Sequence, residues 1–390
     1  MTAKAAPERA LGALQGALAD RAPGRLLPRQ PLLRHLLVAV AAGVVVYVLT
    51  VTLGTYNDFN LAQIAVYAIA VGGLTLLTGS NGQISLGHGA LMAVGAYVTA
   101  LLIAHTHIPL GAEIAAGGLG GVVFGVIVGV AAARLRGPYL AGITLALALA
   151  LPEVAVKYQS VFGGEQGLTV TPPTAPGSMP SERWLAWICL LSAVLVMIVL
   201  ANLNRSRVGR SFRAVRDDEI AASLAGVNVA RTQVLAFVVS SACAGLAGSL
   251  LALGTTIVNP AEFTIALSLS LLAGLVIGGQ GSLAGAWWGA LVLVLVPRWS
   301  TTVSNALGLG SGVRSNLALM IYGVVLIVVM ILAPSGIDGG VRRILGLGRL
   351  PRGRLGPAVR AGRTGVGSSR ARGAPVPGQT TTQQGGAHDL

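Results

Sequence analysis

Charge is scarce in this chain. Asp, Glu, Lys and Arg make up 10% of its 390 residues against 54% hydrophobic, a balance that excludes an ordinary soluble domain and, with long apolar runs, reads as a polytopic membrane protein. Cysteine is rarer still. Cys189 and Cys243 stand singly inside apolar stretches, so no disulfide framework is implied. Lysine occurs only as Lys4 and Lys157, neither in a Gly-x-x-x-x-Gly-Lys-Ser/Thr loop, which excludes a phosphate-cradling site and leaves any ATP hydrolysis to a separate subunit. His105 and His107 share a short loop without neighbouring Cys or paired carboxylates, so no metal and no cofactor are expected. Glu153, beside Pro152, is the one carboxylate read within a span, which argues against a proton relay. The lack of a nucleophile–base pair argues against a membrane-embedded enzyme.

What charge there is lies at the edges of apolar runs. The net charge of +14 sits in loops and tails flanking them, so it reads as membrane orientation and excludes a nucleic-acid face. Hydropathy marks about ten spans in an all-α helical bundle, from Leu36–Leu53 to Leu317–Ala333. The eighth (Ile265–Gly278) and ninth (Leu283–Val296) run 14 residues each and are parted by a glycine-rich break, which leaves open a single kinked crossing. Charge parity favours ten. With both termini inside, 23 of the 27 Lys and Arg fall inside: six in the N-terminal arm, two at Arg134 and Arg136, six from Arg205 to Arg231 and nine in the tail. The chain thus divides into a basic cytoplasmic arm (1–34), a transmembrane domain (35–333) and a cytoplasmic tail (334–390). The tail is rich in Arg, Gly and Pro, has no pattern able to bury a core, and is expected to be disordered.

Two glycine-rich interruptions stand out. Gly82-Gln-Ile-Ser-Leu86 follows the second span (Leu61–Thr78) and Gly279-Gln-Gly-Ser-Leu283 follows the eighth, the kind of paired break that transporter halves show where broken helices meet a substrate path. They suggest an internal two-fold repeat, parallel or inverted. Irregular backbone at membrane depth survives only where protein or a water-filled cavity satisfies its N–H and C=O groups. Gln83, Ser85, His88, Gln280 and Ser282 are therefore candidate path residues. A structural reading stands beside this one, in which the glycines permit close helix packing and Ser85 caps a helix.

The densest charge in the chain, Arg205 to Glu219, holds five arginines and three acids and has to lie outside the bilayer. Its acids precede Ile-Ala-Ala-Ser-Leu-Ala, and Gly226 follows, which are start and stop signals for a short helix. A merely solvated loop is the plainer alternative.

The runs Gly82–Ala90, Leu135–Tyr139, Phe162–Leu168, Gly209–Gly226 and Leu275–Gly285 together resemble the permease subunits of branched-chain amino-acid ABC importers, the LivM type, over roughly Leu61 to Pro334. The resemblance implies a path for branched-chain or related amino acids through the bacterial cytoplasmic membrane, with no chemistry on the substrate. It also implies partners: ATP-binding subunits, a second permease subunit, and an extracytoplasmic solute-binding protein meeting the Lys157–Arg183 loop. On the same ground Arg213, Arg216, Asp217, Asp218, Glu219, Ala221, Ala222 and Gly226 become ATPase-coupling residues. Glu219-Ile-Ala-Ala carries one residue more than the usual Glu-Ala-Ala pattern, which leaves the helix register open. The resembled superfamily also takes urea and sugars. A secondary carrier or channel without an ATPase is the reading of a different class, and the lack of intramembrane charge pairs weighs against it. The tail's arginines read first as a solvated topology anchor, with weak binding to anionic membrane lipid as the alternative.

Overall fold

The computed structural model describes residues 55–106, 108–132, 138–306 and 336–344, with seven further helical positions between 320 and 331. Six of the described helices are long and apolar enough to cross a membrane. These are α1 (Thr55–Leu74), α2 (His88–His105), α3 (Leu110–Ala132), α4 (Pro138–Lys157), α5 (Ser181–Arg205) and, after the short α6 (Arg207–Asp217) and α7 (Glu219–Leu224), α8 (Val229–Gly254). α9 (Ile265–Gly278), α10 (Leu283–Ala306) and α11 (Gly336–Ile344) follow. The described strands are β1 (Leu168–Thr169) and β2 (Ile257–Val258), two residues each and paired antiparallel. The chain is the expected all-α bundle. The second to ninth expected spans are each a separate helix. The first span and the N-terminal arm lie outside the described residues, and the tenth is described only at those seven positions.

α1 is the hub of the bundle, with Ala65, Ala68, Ile69, Ala70, Val71 and Leu74 all buried. α5 runs parallel to it, Asp58 meeting Arg183 at one end and Ser80, just past α1, meeting Asn204 at the other. α10 runs antiparallel, Gln63 meeting Arg298 and Gly79 meeting Gly281. α8 approaches at Gly73, where Cys243 and Ser240 occupy the space a side chain would take. Small residues allow such approaches, and in lipid, where burial of apolar surface gives no advantage, close packing is what holds helices together. α2 and α8 approach especially closely: a Cβ on Gly95 would lie 2.0 Å from the Gly245 carbonyl oxygen, and one on Gly248 1.8 Å from that of Met92.

α9 and α10 form an antiparallel hairpin, with Gly274 against Gly289 and Gly278 against Gly285. The alternative of one kinked crossing is thereby excluded. The 14 residues of α9 rise about 21 Å, short of a hydrocarbon core of roughly 30 Å. A 3₁₀ turn at Pro260–Phe263 leads into it with Pro260 and Phe263 buried, so non-helical backbone there is shielded by protein. Between α4 and α5 the chain turns through Gly163, Gly164 and Gly167, at φ of 75°, 61° and 75°. These glycines serve as turn residues, since L side chains rarely adopt such φ values.

The structure corrects two sequence expectations. Glu153 is exposed, whereas Asp58 is wholly buried one turn into α1 and Glu113 is buried near the start of α3. Spans counted from their first apolar residues, Leu61 and Ile114, put these acids in loops; the helices in fact begin at Thr55 and Leu110. Asp58 accepts a hydrogen bond from Arg183 Nε at 3.3 Å. The second correction concerns the tail: Gly336–Ile344, inside the segment expected to be disordered, forms α11.

Gly245→Val is expected to destabilise the purified protein by about 1–3 kcal/mol through overpacking, whereas Gly142→Ala, with nothing within 4 Å, leaves the thermal midpoint unchanged or raised. Arg183→Ala strands a buried carboxylate and is expected to cost about 3–5 kcal/mol, with Asp58→Asn in the same chain recovering most of the loss in thermal unfolding.

Candidate functional site

The chain breaks its helical pattern where α1 ends. Thr75–Ser80 winds as a π turn, and Thr75 Oγ1 donates to the Val71 carbonyl at 2.7 Å. Gly82, at φ 80°, then turns the backbone, with Gly82 N and Gln83 N donating to the carbonyls of Thr78 and Leu77 at 3.2 Å each. Thr78 Oγ1 donates to the Gln83 carbonyl at 2.9 Å. The first N–H groups of a helix have no partner within it, and at the start of α2 distant helices supply them. Leu86 N donates to Thr144 Oγ1 of α4 at 3.0 Å, and Gly89 N to Ser268 Oγ of α9 at 3.0 Å. Neither Thr144 nor Ser268 carries a sequence signal of this role; each is one hydroxyl in an apolar helix. Ser85 is not the helix cap: Gly87 holds that position, and Ser85 Oγ accepts from Gly87 N at 3.4 Å.

This break gathers buried polar groups. Gln83, Ser85 and His88 are all buried, as is Asn81. Gln83 Oε1 and both ends of the Asn81 amide have no hydrogen-bond partner, and His88 faces the backbone of Ala70 without a well-formed bond from either ring nitrogen. Such groups cost about 1–3 kcal/mol each when left unpaired, so the strip suits hydration or a polar solute better than a static core. Gln280 and Ser282 sit differently. Gln280 is exposed, and half-buried Ser282 Oγ accepts from Arg342 Nη2 of α11 at 2.9 Å.

The two glycine loops meet at one end of the bundle, where a Cβ on Gly79 would lie 2.5 Å from Gly281 N. α1 and α9 both run toward that end and α2 and α10 away from it, so the two hairpins have the same sense. α11 covers the second loop. Gly336, at φ 74°, packs its backbone on Gly279, and Asp338 pairs with Arg342 at 2.7 Å.

The arginine block lies at this same end. Ser206 caps α6, accepting from Val208 N and Gly209 N, and Gly209, Phe212 and Val215 form its buried face. Asp218 caps α7 by accepting from Ile220 N and Ala221 N at 2.8 and 3.0 Å. α7 closes in a Schellman motif around Gly226 at φ 85°: Gly226 N donates to Ser223 O and Val227 N to Ala222 O, each at 3.0 Å. The expected short helix is therefore present, with its register fixed by Asp218 and Gly226. Glu219 Oε1 accepts from Gln233 Nε2 of α8 at 2.9 Å, and Ala222 is buried while Asp217 and Ala221 are exposed.

Two arginines of α6 face the bundle. Arg213 Nη1 donates to Asn204 O and Oδ1 at 2.9 and 2.7 Å, and Asn204 Oδ1 also accepts from Ser80 Oγ at 3.4 Å. Arg216 Nη1 donates to the Gly79 carbonyl at 2.7 Å while its Nη2 pairs with Asp217 at 2.9 Å. A guanidinium is well suited to the carbonyls freed where a helix ends. Ile220 and Leu224, which stand among the block's charged and small residues with no role expected from sequence, are 74% and 84% exposed. An apolar pair four residues apart on a capped helix was the signal available for them.

A family profile described as "Branched-chain amino acid transport system / permease component" matches residues 56–330. The chain belongs to this family of permease components. It is 32% identical to the high-affinity branched-chain amino acid transport system permease protein LivM of Escherichia coli, over 66% of this chain and 66% of that protein, so the match spans just under two thirds of the relative's length. The permease protein LivH of the same organism is 28% identical over 73% of this chain and 94% of its own. The ribose import permease protein RbsC of Escherichia coli is 28% identical over 70% and 84%. The family match takes in both glycine loops and the arginine block and ends before α11. In this permease the contact of Arg342 with Ser282 therefore joins a matched loop to an unmatched helix.

Arg216→Ala is expected to free the Gly79 carbonyl and loosen the π turn, raising amide hydrogen exchange over 75–83 by about tenfold or more, since charge-assisted hydrogen bonds contribute about 1.5–3 kcal/mol. Exchange in α3, which Arg216 does not touch, serves as the internal control.

Proposed function

We propose that this chain is a permease subunit of an ATP-driven importer that passes branched-chain or related amino acids across the cytoplasmic membrane. It offers a path and performs no chemistry on the substrate. ATP-binding subunits dock on α6 and α7, a second permease subunit completes the pore, and an extracytoplasmic binding protein delivers solute at the opposite end. The end of the bundle bearing the arginine block is the cytoplasmic one, in keeping with the excess of Arg there, and both termini are cytoplasmic.

One contact carries this reading: Arg216 ties the segment that bears the exposed Ile220 and Leu224 to Gly79, four residues before Gln83 in the buried polar strip. In the mechanism, a partner gripping Ile220 and Leu224 shifts α7 and α6, and Arg213 and Arg216 carry that displacement into the π turn. Gln83, Ser85 and His88 line the path that opens, and Ser282 with Gln280 forms its cytoplasmic rim. Asp217, Asp218 and Glu219 hold the register of the coupling element, with Ala221, Ala222 and Gly226 shaping its packing and its end.

A sugar is the competing substrate class, because the ribose import permease matches over a similar share of the chain and amide and hydroxyl groups such as Asn81, Gln83 and Ser85 also suit polyols. Reconstitution with the partner subunits in proteoliposomes decides between them. ATP-dependent uptake of leucine, exceeding that of ribose and urea, is expected; preference for ribose, or uptake by this chain alone, overturns the proposal. Replacing Ile220 and Leu224 together by Asp is expected to reduce both ATPase co-purification and uptake by at least about tenfold, with the bundle's thermal midpoint unchanged because both side chains are exposed.

A further inference from the structure

A groove opens between α2, α3 and α4 on the side of the bundle away from the glycine loops. Its volume is about 390 Å³, and its walls are apolar: Val94 and Leu101 of α2, Phe124 of α3, and Leu147, Leu151 and Val154 of α4. Tyr97 and Phe162 close one end, ring edge to ring face with centroids 5.2 Å apart. The groove lies along membrane-spanning helices and opens sideways, since Val154 and the neighbouring Ala150 are exposed. A zwitterionic solute brings two charged ends, and the one polar side-chain group among the lining residues is the Tyr97 hydroxyl, which carries no charge to meet either. An acyl chain brings none, and a gap left empty beside acyl chains forfeits dispersion contacts on its whole lining.

A second observation sits at the mouth of this groove. Lys157 ends α4 three residues beyond Val154, on the same face of the helix. Besides Lys4 it is the chain's only lysine, and it stands at the end of the bundle opposite the arginine block, where Arg183 and Arg298 are already engaged by Asp58 and Gln63. It is exposed, lies 5.9 Å from the centre of the Tyr158 ring, and has no carboxylate partner among the described residues. Leu147 to Lys157 spans ten residues, about 15 Å of helix, which places an ammonium at headgroup level when a chain lies against Leu147 and Leu151.

We propose that this groove is a binding site for an anionic phospholipid, with one acyl chain between α2, α3 and α4 and the phosphate on Lys157. Packing against Leu147, Leu151 and Phe124 selects for a chain, and Lys157 selects for the negative headgroup. Because lipid tails are as apolar as the groove, the discrimination between lipids comes from the charge. The site rests on the membrane-spanning reading of these helices and is independent of the transported substrate.

The test uses the full permease complex purified in detergent, partly delipidated, and titrated with phosphatidylglycerol or phosphatidylcholine under native mass spectrometry. The wild type is expected to prefer phosphatidylglycerol by about fivefold, the effect of one cation near an anionic surface. Lys157→Gln is expected to abolish that preference while still retaining lipid, and Ala150→Trp, which fills the groove, to lose the retained lipid of either kind. Unchanged preference in Lys157→Gln, or unchanged retention in Ala150→Trp, overturns the proposal. So does efficient cross-linking of Val154→Cys to a second permease subunit in the intact complex, because the groove is then a protein interface.

Discussion

Backbone that is not helical has to find its hydrogen bonds inside the protein when lipid surrounds it, and this requirement organises the bundle around Thr75–His88. The π turn and the extended segment after it leave carbonyls and N–H groups that no regular helix supplies. The π turn itself and three separate helices answer them. Arg216 of α6 serves the Gly79 carbonyl, Thr78 serves Gln83, Thr144 of α4 serves Leu86, and Ser268 of α9 serves Gly89. The last two and the Arg216 contact each draw a helix toward the break, so α4, α6 and α9 converge on the segment least like a membrane helix.

The same contacts join a water-facing surface to a buried one. α7 stands on Asp218, whose neighbour Asp217 pairs with Arg216, and Arg216 reaches Gly79. Gly79 in turn abuts Gly281, on whose flank Ser282 is held by Arg342 of α11. These are short, directed bonds between discrete groups, in contrast to the broad packing of α2, α3 and α8, where glycines seat backbone against backbone. A displacement at α7 therefore meets a chain of polar contacts that can exchange partners, while the glycine-seated helices behave as a rigid block.

Much of this was legible in the sequence because the signals are local. Glycine-rich breaks, the acids before a helix, Gly226 after it, and the 14-residue run Ile265–Gly278 depend on neighbours within a few positions, and each appears in the structure as read; the run read as ending at Val296 instead continues as helix to Ala306. What was missed depends on distance along the chain. Thr144 and Ser268 act on backbone 58 and 179 residues away, and nothing in their surroundings marks them. Asp58 was missed because apolar counting starts a helix at its first apolar run, whereas a first turn of polar residues can be helical and buried against a distant arginine. α11 was missed for a related reason: its Gly-rich sequence has little intrinsic helix preference, and a tertiary contact with the Gly279 loop supplies what propensity lacks.

The polar contacts at the two ends of α1 differ in kind. At one end Asp58 is fixed to Arg183, and Arg298 bonds Gln63 and lies 5.9 Å from the centre of the Phe59 ring. At the other end Arg216 grips Gly79 and Ser80 bonds Asn204. Sliding α1 along its axis would break both sets at once, one of them a buried pair whose rupture costs about 3–5 kcal/mol. Bending at the π turn breaks neither the Asp58 pair nor the glycine-seated contacts of the rigid block. The helix is thus held at its regular end by a buried ion pair and at the π turn by hydrogen bonds to α5 and α6 that can exchange partners, and this second end is the one that leads directly into Gln83, Ser85 and His88.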